Sequence, residues 1–287
     1  MKPDHQKKMN FTSSQPADTS ELELELGVPI PGRILPVEQW AKTGIKRLPE
    51  QGPIVWRDWF GRQAPVVLDI GCGNGRFVIS SAVRRPEVDH LGIDILPVVI
   101  RYATRRGNQR GLSNARFAVC DGQNFLSRYV APTSLDEIHI YHPQPYHDHR
   151  GSRELRLLQP EFLGLLHRSL AAGGQLYLQS DNRPYWQYIR QVVSAVFEWH
   201  EQEGGWPEDP HGRSRRELQA VQQGLPIFRG YATKRKEYSE QQVGQLLASL
   251  PRPDFSSKKP QRRRVTGRRE GPRPRRMAPP PRSSPLD

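Results

Sequence analysis

The chain has 287 residues, with 43 Lys and Arg against 30 Asp and Glu, a net charge of +13 and an isoelectric point near 10.1. Hydrophobic residues make up 35% and mean hydropathy is −0.73, which suits one α/β domain with polar ends and leaves no apolar run able to span a bilayer. Two cysteines, Cys72 and Cys120, exclude a disulfide scaffold and do not by themselves close a zinc site. The polar N-terminus has no apolar signal region, so the expected location is cytoplasmic.

Residues 1–27 are polar and mixed in charge, and disorder is expected there. Residues 28–65 alternate Pro and Gly with Trp40, Trp56, Trp59 and Phe60, as in an irregular segment anchored by its aromatics. From residue 66 to about 250 strands and helices alternate. Val66 to Ile70 is a buried strand, followed by a glycine turn and a helix from Arg76 to Arg84. His90 to Ile95 is a second strand, with a helix starting near Pro97. Ala115 to Cys120 and Leu135 to Tyr141 are the third and fourth strands. Leu155 to Leu170 has helical spacing and stops at Gly173-Gly174; Gln175 to Gln179 is the fifth strand and Tyr185 to Phe197 a further helix. Repeated βα units predict a doubly wound, mostly parallel sheet that binds ligands at the carboxyl ends of its strands. Residues 251–287 form an expected disordered tail. It carries twelve of the basic residues against three acids, and a polyanion such as RNA fits that charge. A purely solubilising tail is the other reading.

The chemistry-bearing residues fall at the predicted strand ends. Asp69-Ile70-Gly71-Cys72-Gly73-Asn74-Gly75 closes the first strand. A dinucleotide reader shows G-x-G-x-x-G. The G-x-G-x-G spacing here, behind a carboxylate, resembles the first motif of the class I methyltransferases. There the acid and the glycine turn hold the amino-acid end of S-adenosylmethionine, whose ammonium a carboxylate attracts. Asp94 ends the second strand and suits the ribose hydroxyls; Asp121 follows the third strand, placed to meet the adenine amine. Either acid alone also reads as a helix N-cap.

His142-Pro143-Gln144-Pro145-Tyr146 follows the fourth strand. It resembles the Pro-Asp-Pro-Trp motif of the tRNA (guanine-N7) methyltransferases, with Gln144 for the acid and Tyr146 for the tryptophan. The same resemblance covers Phe60-Gly61, the basic stretch Arg150, Arg153 and Arg156, Gln159-Pro160-Glu161-Phe162, Gly173-Gly174, Ser180-Asp181 with Tyr185, Ser214-Arg215-Arg216-Glu217, and Arg229-Gly230. It spans about Trp56 to Tyr231. The family's lysine after the motif is replaced by Asp148 or a neighbouring histidine.

The resemblance implies a Rossmann-like, seven-stranded-type class I fold, with S-adenosylmethionine as cofactor and tRNA as partner. It implies methyl transfer to guanine N7, in the variable loop. It also implies Asp69, Gly71, Gly73, Gly75, Asp94 and Asp121 as the cofactor site. Gln144 and Asp181 are the catalytic candidates; Tyr146, Asp148, Arg150, Asp181, Ser214 and Glu217 are the substrate-binding ones. Guanine N7 carries a free lone pair, so the task is orientation, with a nearby carboxylate offsetting the cationic product. Gln144 orients a base edge but does not neutralise charge; Asp181 does, and Glu217 suits the guanine N1–H and amine. Tyr146 reads equally as a base-stacking or a loop-packing residue. His139, His142, His147 and His149 invite a metal, but a solvated loop is the better reading and no metal is expected. Two alternatives stand beside this one: a same-fold enzyme acting on another RNA or a small molecule, and an RNA-binding protein that has lost catalysis.

Overall fold

The computed structural model describes residues 23–146, 153–235 and 238–256. The chain enters the fold earlier than its composition suggests. The expected disorder of residues 1–27 is corrected for residues 23–27. β1 (Leu24–Glu25) and β2 (Val28–Pro29) pair as a hairpin across Leu26 and Gly27, both at positive φ as a tight primed turn requires. Glu25 is the reason it docks: the carboxylate is fully buried among arginines, as described below. Residues 1–22 lie outside the described residues. α1 (Trp56–Phe60) is the one α-helix among the described residues before residue 66, and Trp56, Trp59 and buried Phe60 attach it to the domain.

Five parallel strands follow: β3 (Val66–Ile70), β4 (Asp89–Asp94), β5 (Ala115–Val119), β6 (Leu135–Tyr141) and β7 (Leu170–Ser180). The helices between them are α2 (Arg76–Arg84), α3 (Pro97–Gln109), α4 (Gly122–Arg128) and α5 (Pro160–Ser169). Then come α6 (Arg183–Val196), β8 (Phe197–Glu201), α7 (Arg215–Gln222), β9 (Phe228–Lys234) and α8 (Glu240–Ser249). The strands form one seven-stranded sheet in the order β5-β4-β3-β6-β7-β9-β8, with β9 antiparallel to both its neighbours. The order reverses between β3 and β6, and such a switch point opens a crevice at the carboxyl ends.

Every residue of β3 is buried, because helices cover both faces. Val66, Leu68 and Ile70 join the core cluster that includes α4, α5 and α6; Val67 joins the one against α2 and α3. By strict alternation Asp69 shares the second face. In β6, Leu135 and Ile138 reach the same cluster despite their odd spacing, because the strand shifts register between Leu135 and Glu137.

Three boundaries move. The helix expected from Leu155 starts at Pro160: the residue before a proline is held extended, and Gln159 sits at φ −81°, ψ 158°. The fifth strand begins at Leu170 rather than Gln175, since Leu170 already pairs with Leu135. The expected disorder of residues 251–287 is corrected for residues 251–256. Phe255 lies 5.3 Å and 5.7 Å from the rings of Tyr185 and Tyr188, and Arg156 covers it at 3.8 Å. The basic part of the tail lies outside the described residues. No helix among the described residues is long and apolar enough to cross a membrane.

Candidate active site

The five parallel strands end at one edge of the sheet. Ile70 pairs with Ile93, Asp94 with Val119, and Tyr141 with Gln179, so Gly71, Asp94, Asp121, His142 and Asp181 line the same crevice mouth.

The glycine turn is left-handed at each of its glycines, with φ of 78°, 54° and 78° at Gly71, Gly73 and Gly75. The three are not equivalent. A Cβ on Gly71 or Gly73 meets no atom within 4 Å, so both border open space where a ligand fits. A Cβ on Gly75 would lie 2.8 Å from the Ala103 Cβ and 2.9 Å from the Phe117 ring. Gly75→Ala is therefore expected to cost about 2–4 kcal/mol, from the left-handed backbone plus overpacking. Gly71→Ala should cost only about 1–2 kcal/mol, the backbone part. Denaturant unfolding of the two variants checks the difference, and equal losses would contradict it.

Asp94 braces this turn: Oδ2 accepts from the Gly73 amide at 3.0 Å and Oδ1 from the Leu96 amide at 2.9 Å. A carboxylate has about four lone-pair sites, so capacity remains for two hydroxyls. Beside it Ile95 is 60% exposed, an apolar surface at the crevice. Asp121 is the N-cap of α4, accepting from the Asn124 amide at 2.8 Å. The capping role is thus real, and its exposed carboxylate stays at the site.

Asp69 is different. It is 3% exposed, and among the described residues its carboxyl accepts no hydrogen bond and forms no ion pair. Burial, then the neighbouring Asp94, push its pKa up to about 8, against an opposing pull from Arg213. A buried acid without a donor, beside an open glycine turn, is a site for a cation. The residues fit the amino-acid end of S-adenosylmethionine.

The far side of the crevice is a polar network that the sequence hints at only in pieces. His142, at φ +52°, places Nδ1 3.1 Å from Asp181 Oδ1 and Nε2 2.8 Å from Gln179 Nε2. The tautomer that satisfies both donates to Asp181 and accepts from Gln179. Gln179 in turn accepts from the Trp206 indole at 2.7 Å. Arg216 donates to the other Asp181 oxygen. Burial alone would raise Asp181, but His142 and Arg216 hold it down at about 2, fully ionised. Glu217 is 3% exposed with both oxygens engaged, by the Arg213 amide at 2.7 Å and by Arg229 at 2.5 Å. Burial opposes ionisation there too, and hydrogen bonds from Gln179 and Arg229 lower the pKa. In this conformation Glu217 has no oxygen without a protein donor, so it braces α7 rather than facing the crevice. Ser214 is the α7 N-cap, accepting from the Glu217 amide at 3.1 Å. Gln144 is exposed; Tyr146 is half-buried at φ +40°. Asp148 and Arg150, with His147 and His149, lie outside the described residues. His139 is buried and bonded to Glu137 and to the Tyr141 hydroxyl. Among the described residues no group of His, Cys, Asp or Glu is arranged to hold a metal ion.

Three residues were not legible as site elements. Glu25 is bonded to Asn74 of the glycine turn and faces Arg106 at 3.5 Å, Arg215 at 3.2 Å and Arg76 at 3.7 Å. It thereby ties the turn to α7. Arg213 sits among Phe77, Tyr141, Tyr177 and Trp206 and donates to the Tyr141 hydroxyl at 2.5 Å. Arg156, part of the basic stretch that the resemblance covers, is 1% exposed and grips the loop after β6. Only its place in the resemblance pointed to it.

A family model described as "Putative methyltransferase" matches residues 63–229, which include β3 through the start of β9. Glycine turn, strand-end acids and this match define the class, a methyltransferase. The tRNA (guanine-N(7)-)-methyltransferase of Saccharophagus degradans is 30% identical over 157 residues, 55% of this chain and 67% of that protein. The one from Halorhodospira halophila is 33% identical over 156 residues, 54% and 67% of the two chains. A solved 30S ribosomal A1408 methyltransferase from an uncultured bacterium superposes with a TM-score of 0.47 at 15% identity, covering 67% of this chain and 98% of that one. The chain belongs to the tRNA (guanine-N(7)-)-methyltransferase family.

Proposed function

We propose that this protein transfers a methyl group from S-adenosylmethionine to N7 of a guanine in tRNA, in the variable loop by family resemblance. The observation that carries the reading is buried Asp69, without a donor among the described residues, beside the open turn of Gly71 and Gly73. The cofactor supplies an electrophilic methyl on a sulfonium. Asp69 takes its ammonium, Asp94 the ribose hydroxyls and Asp121 the adenine amine. On the acceptor side no proton has to leave before N7 attacks, so the protein orients rather than deprotonates. Gln144, exposed at the mouth, orients the base edge, and Tyr146 stacks on it. Asp181, ionised and placed by His142, offsets the charge that develops on the base. Ser214 and Glu217 act on the substrate side by fixing α7, with Asp148 and Arg150 completing the contacts. The basic tail adds contacts to RNA phosphates, and the cytoplasm is the expected setting.

Methyl transfer from labelled cofactor to tRNA from cells lacking 7-methylguanosine, followed by nucleoside analysis, tests this. Labelled 7-methylguanosine, abolished in Asp94→Ala, is expected. Another labelled nucleoside moves the acceptor; no label despite cofactor binding sinks catalysis on tRNA.

A further inference from the structure

Away from the crevice, a groove of about 430 Å³ runs along one flank of α3, between that helix and the segment 40–46. That segment lies on the sheet edge: Gly44 bridges Phe117 of β5, and Thr43 is bonded to Thr104 and Asn108 of α3. The floor is apolar, from Ile45, Pro97, Ile100, Phe117 and Val119, the last 42% exposed. Trp40 forms one wall, 37% exposed, its indole N–H fixed on the Leu35 carbonyl at 2.8 Å.

The charge around the groove is one-sided. Lys46, Arg101 and Arg105 line it and Lys42 and Arg47 flank it in the chain; all five are exposed, and their side chains make no ion pair or hydrogen bond among the described residues. The exposed acids of the flanking segment are Glu38 and Glu50. The same helix shows what neutralised arginines look like. Arg106 and Arg110 point to the N-terminal hairpin and pair with Glu23 at 2.8 Å and 3.2 Å. Among the described residues the groove side has no such partner. Pro97 comes three residues after Asp94 and Val119 two before Asp121, so the groove opens from the sheet edge that holds the crevice.

We infer that this flank is a second RNA-contact surface, which holds a stretch of tRNA remote from the target guanine. Phosphates take the unpaired cations, and a base lies on the Trp40 face over the apolar floor. The inference rests on RNA being the substrate. An acidic protein partner would want the charges but not an aromatic wall above an apolar slot.

The test uses the full chain carrying Lys46→Glu, Arg101→Glu and Arg105→Glu together, and separately Trp40→Ala. Affinity for unmodified tRNA is measured by anisotropy across a series of KCl concentrations, and affinity for S-adenosylmethionine by calorimetry. The charge variant should lose affinity at least tenfold and its log–log salt slope should flatten by about 2, some 0.7 per lost contact. Trp40→Ala should weaken binding about tenfold with the slope retained. An unchanged slope and affinity in the charge variant, with cofactor binding intact, overturns the surface. A native protein that labels no nucleoside but shows the groove-dependent slope would end the proposed reaction and keep the surface.

Discussion

At pH 7, binding of S-adenosylmethionine is expected to release close to one proton, and Asp69→Asn should abolish the release. Burial and Asp94 hold the Asp69 pKa near 8, so in the free protein the carboxyl is mostly neutral at pH 7. A cationic ammonium delivered against it favours the ionised form, and the proton goes to the buffer. Calorimetry in buffers of different ionisation enthalpy reads this directly. The released fraction should fall towards zero above about pH 9, where Asp69 is already ionised. The stability of the free protein carries the matching sign. A carboxyl raised above its unfolded value of 3.8 contributes stability that is present below that value and is lost as pH rises towards about 8. Saturating cofactor should flatten the trend between those values, because it binds the ionised state and leaves the carboxyl deprotonated in both the bound and the unfolded protein. Asp69→Asn should remove both effects and weaken cofactor binding by about a hundredfold or more, the scale of breaking a buried charge pair. The same proton release in the variant as in the native protein would assign the proton to another group and remove Asp69 from the cofactor site.

What made Asp69 readable was its position. A carboxylate two residues before a glycine turn, at the end of a fully apolar strand, is visible in one dimension, as are Asp94 and Asp121 at the next two strand ends. Strand ends could be read because each parallel strand carries an apolar stretch within a βα repeat, from Val66-Val67-Leu68 in β3 to Leu135, Ile138 and Ile140 spaced among polar residues in β6. β8 and β9 could not, since Phe197–Glu201 and Phe228–Lys234 are only half apolar, and their pairing with β7 and with each other comes from contacts across the sheet. Glu25 escaped for the same reason. It lies in a polar, acid-rich stretch whose composition argues for disorder, and only the arginines of α2, α3 and α7 give it a reason to be buried. Glu217 is a different case. The resemblance implies a substrate-binding residue, and in this structure Arg213 and Arg229 occupy its oxygens. Motif matching reports which residues recur, not which way they face.

Arg156→Ala is expected to lower stability by about 3–5 kcal/mol, roughly 10 °C in Tm for a domain of this size, and to slow methyl transfer more than it weakens cofactor binding. The guanidinium is buried and donates to the carbonyls of Pro145 at 2.6 Å, Tyr146 at 2.9 Å, Pro253 at 2.5 Å and Phe255 at 3.1 Å, with the Phe255 ring 3.8 Å away. Truncation opens a cavity and leaves buried carbonyls without donors. The location gives this consequences for function. His142 and Tyr146 both sit at positive φ, a conformation that costs a side-chain-bearing residue about 1–2 kcal/mol and persists only where neighbours impose it. Gln179 and Asp181 impose it at His142; Arg156 imposes it at Tyr146. Between those two clamps lies Gln144, and without the second clamp the loop loses its reason to present that side chain. Arg156→Lys separates the two roles. A lysine fills much of the volume and keeps the charge, but its ammonium does not fork to four carbonyls. It should recover most of the stability while kcat stays low and cofactor affinity stays native. Full recovery of kcat by lysine would show that Arg156 only packs, and that the loop holds its shape without it.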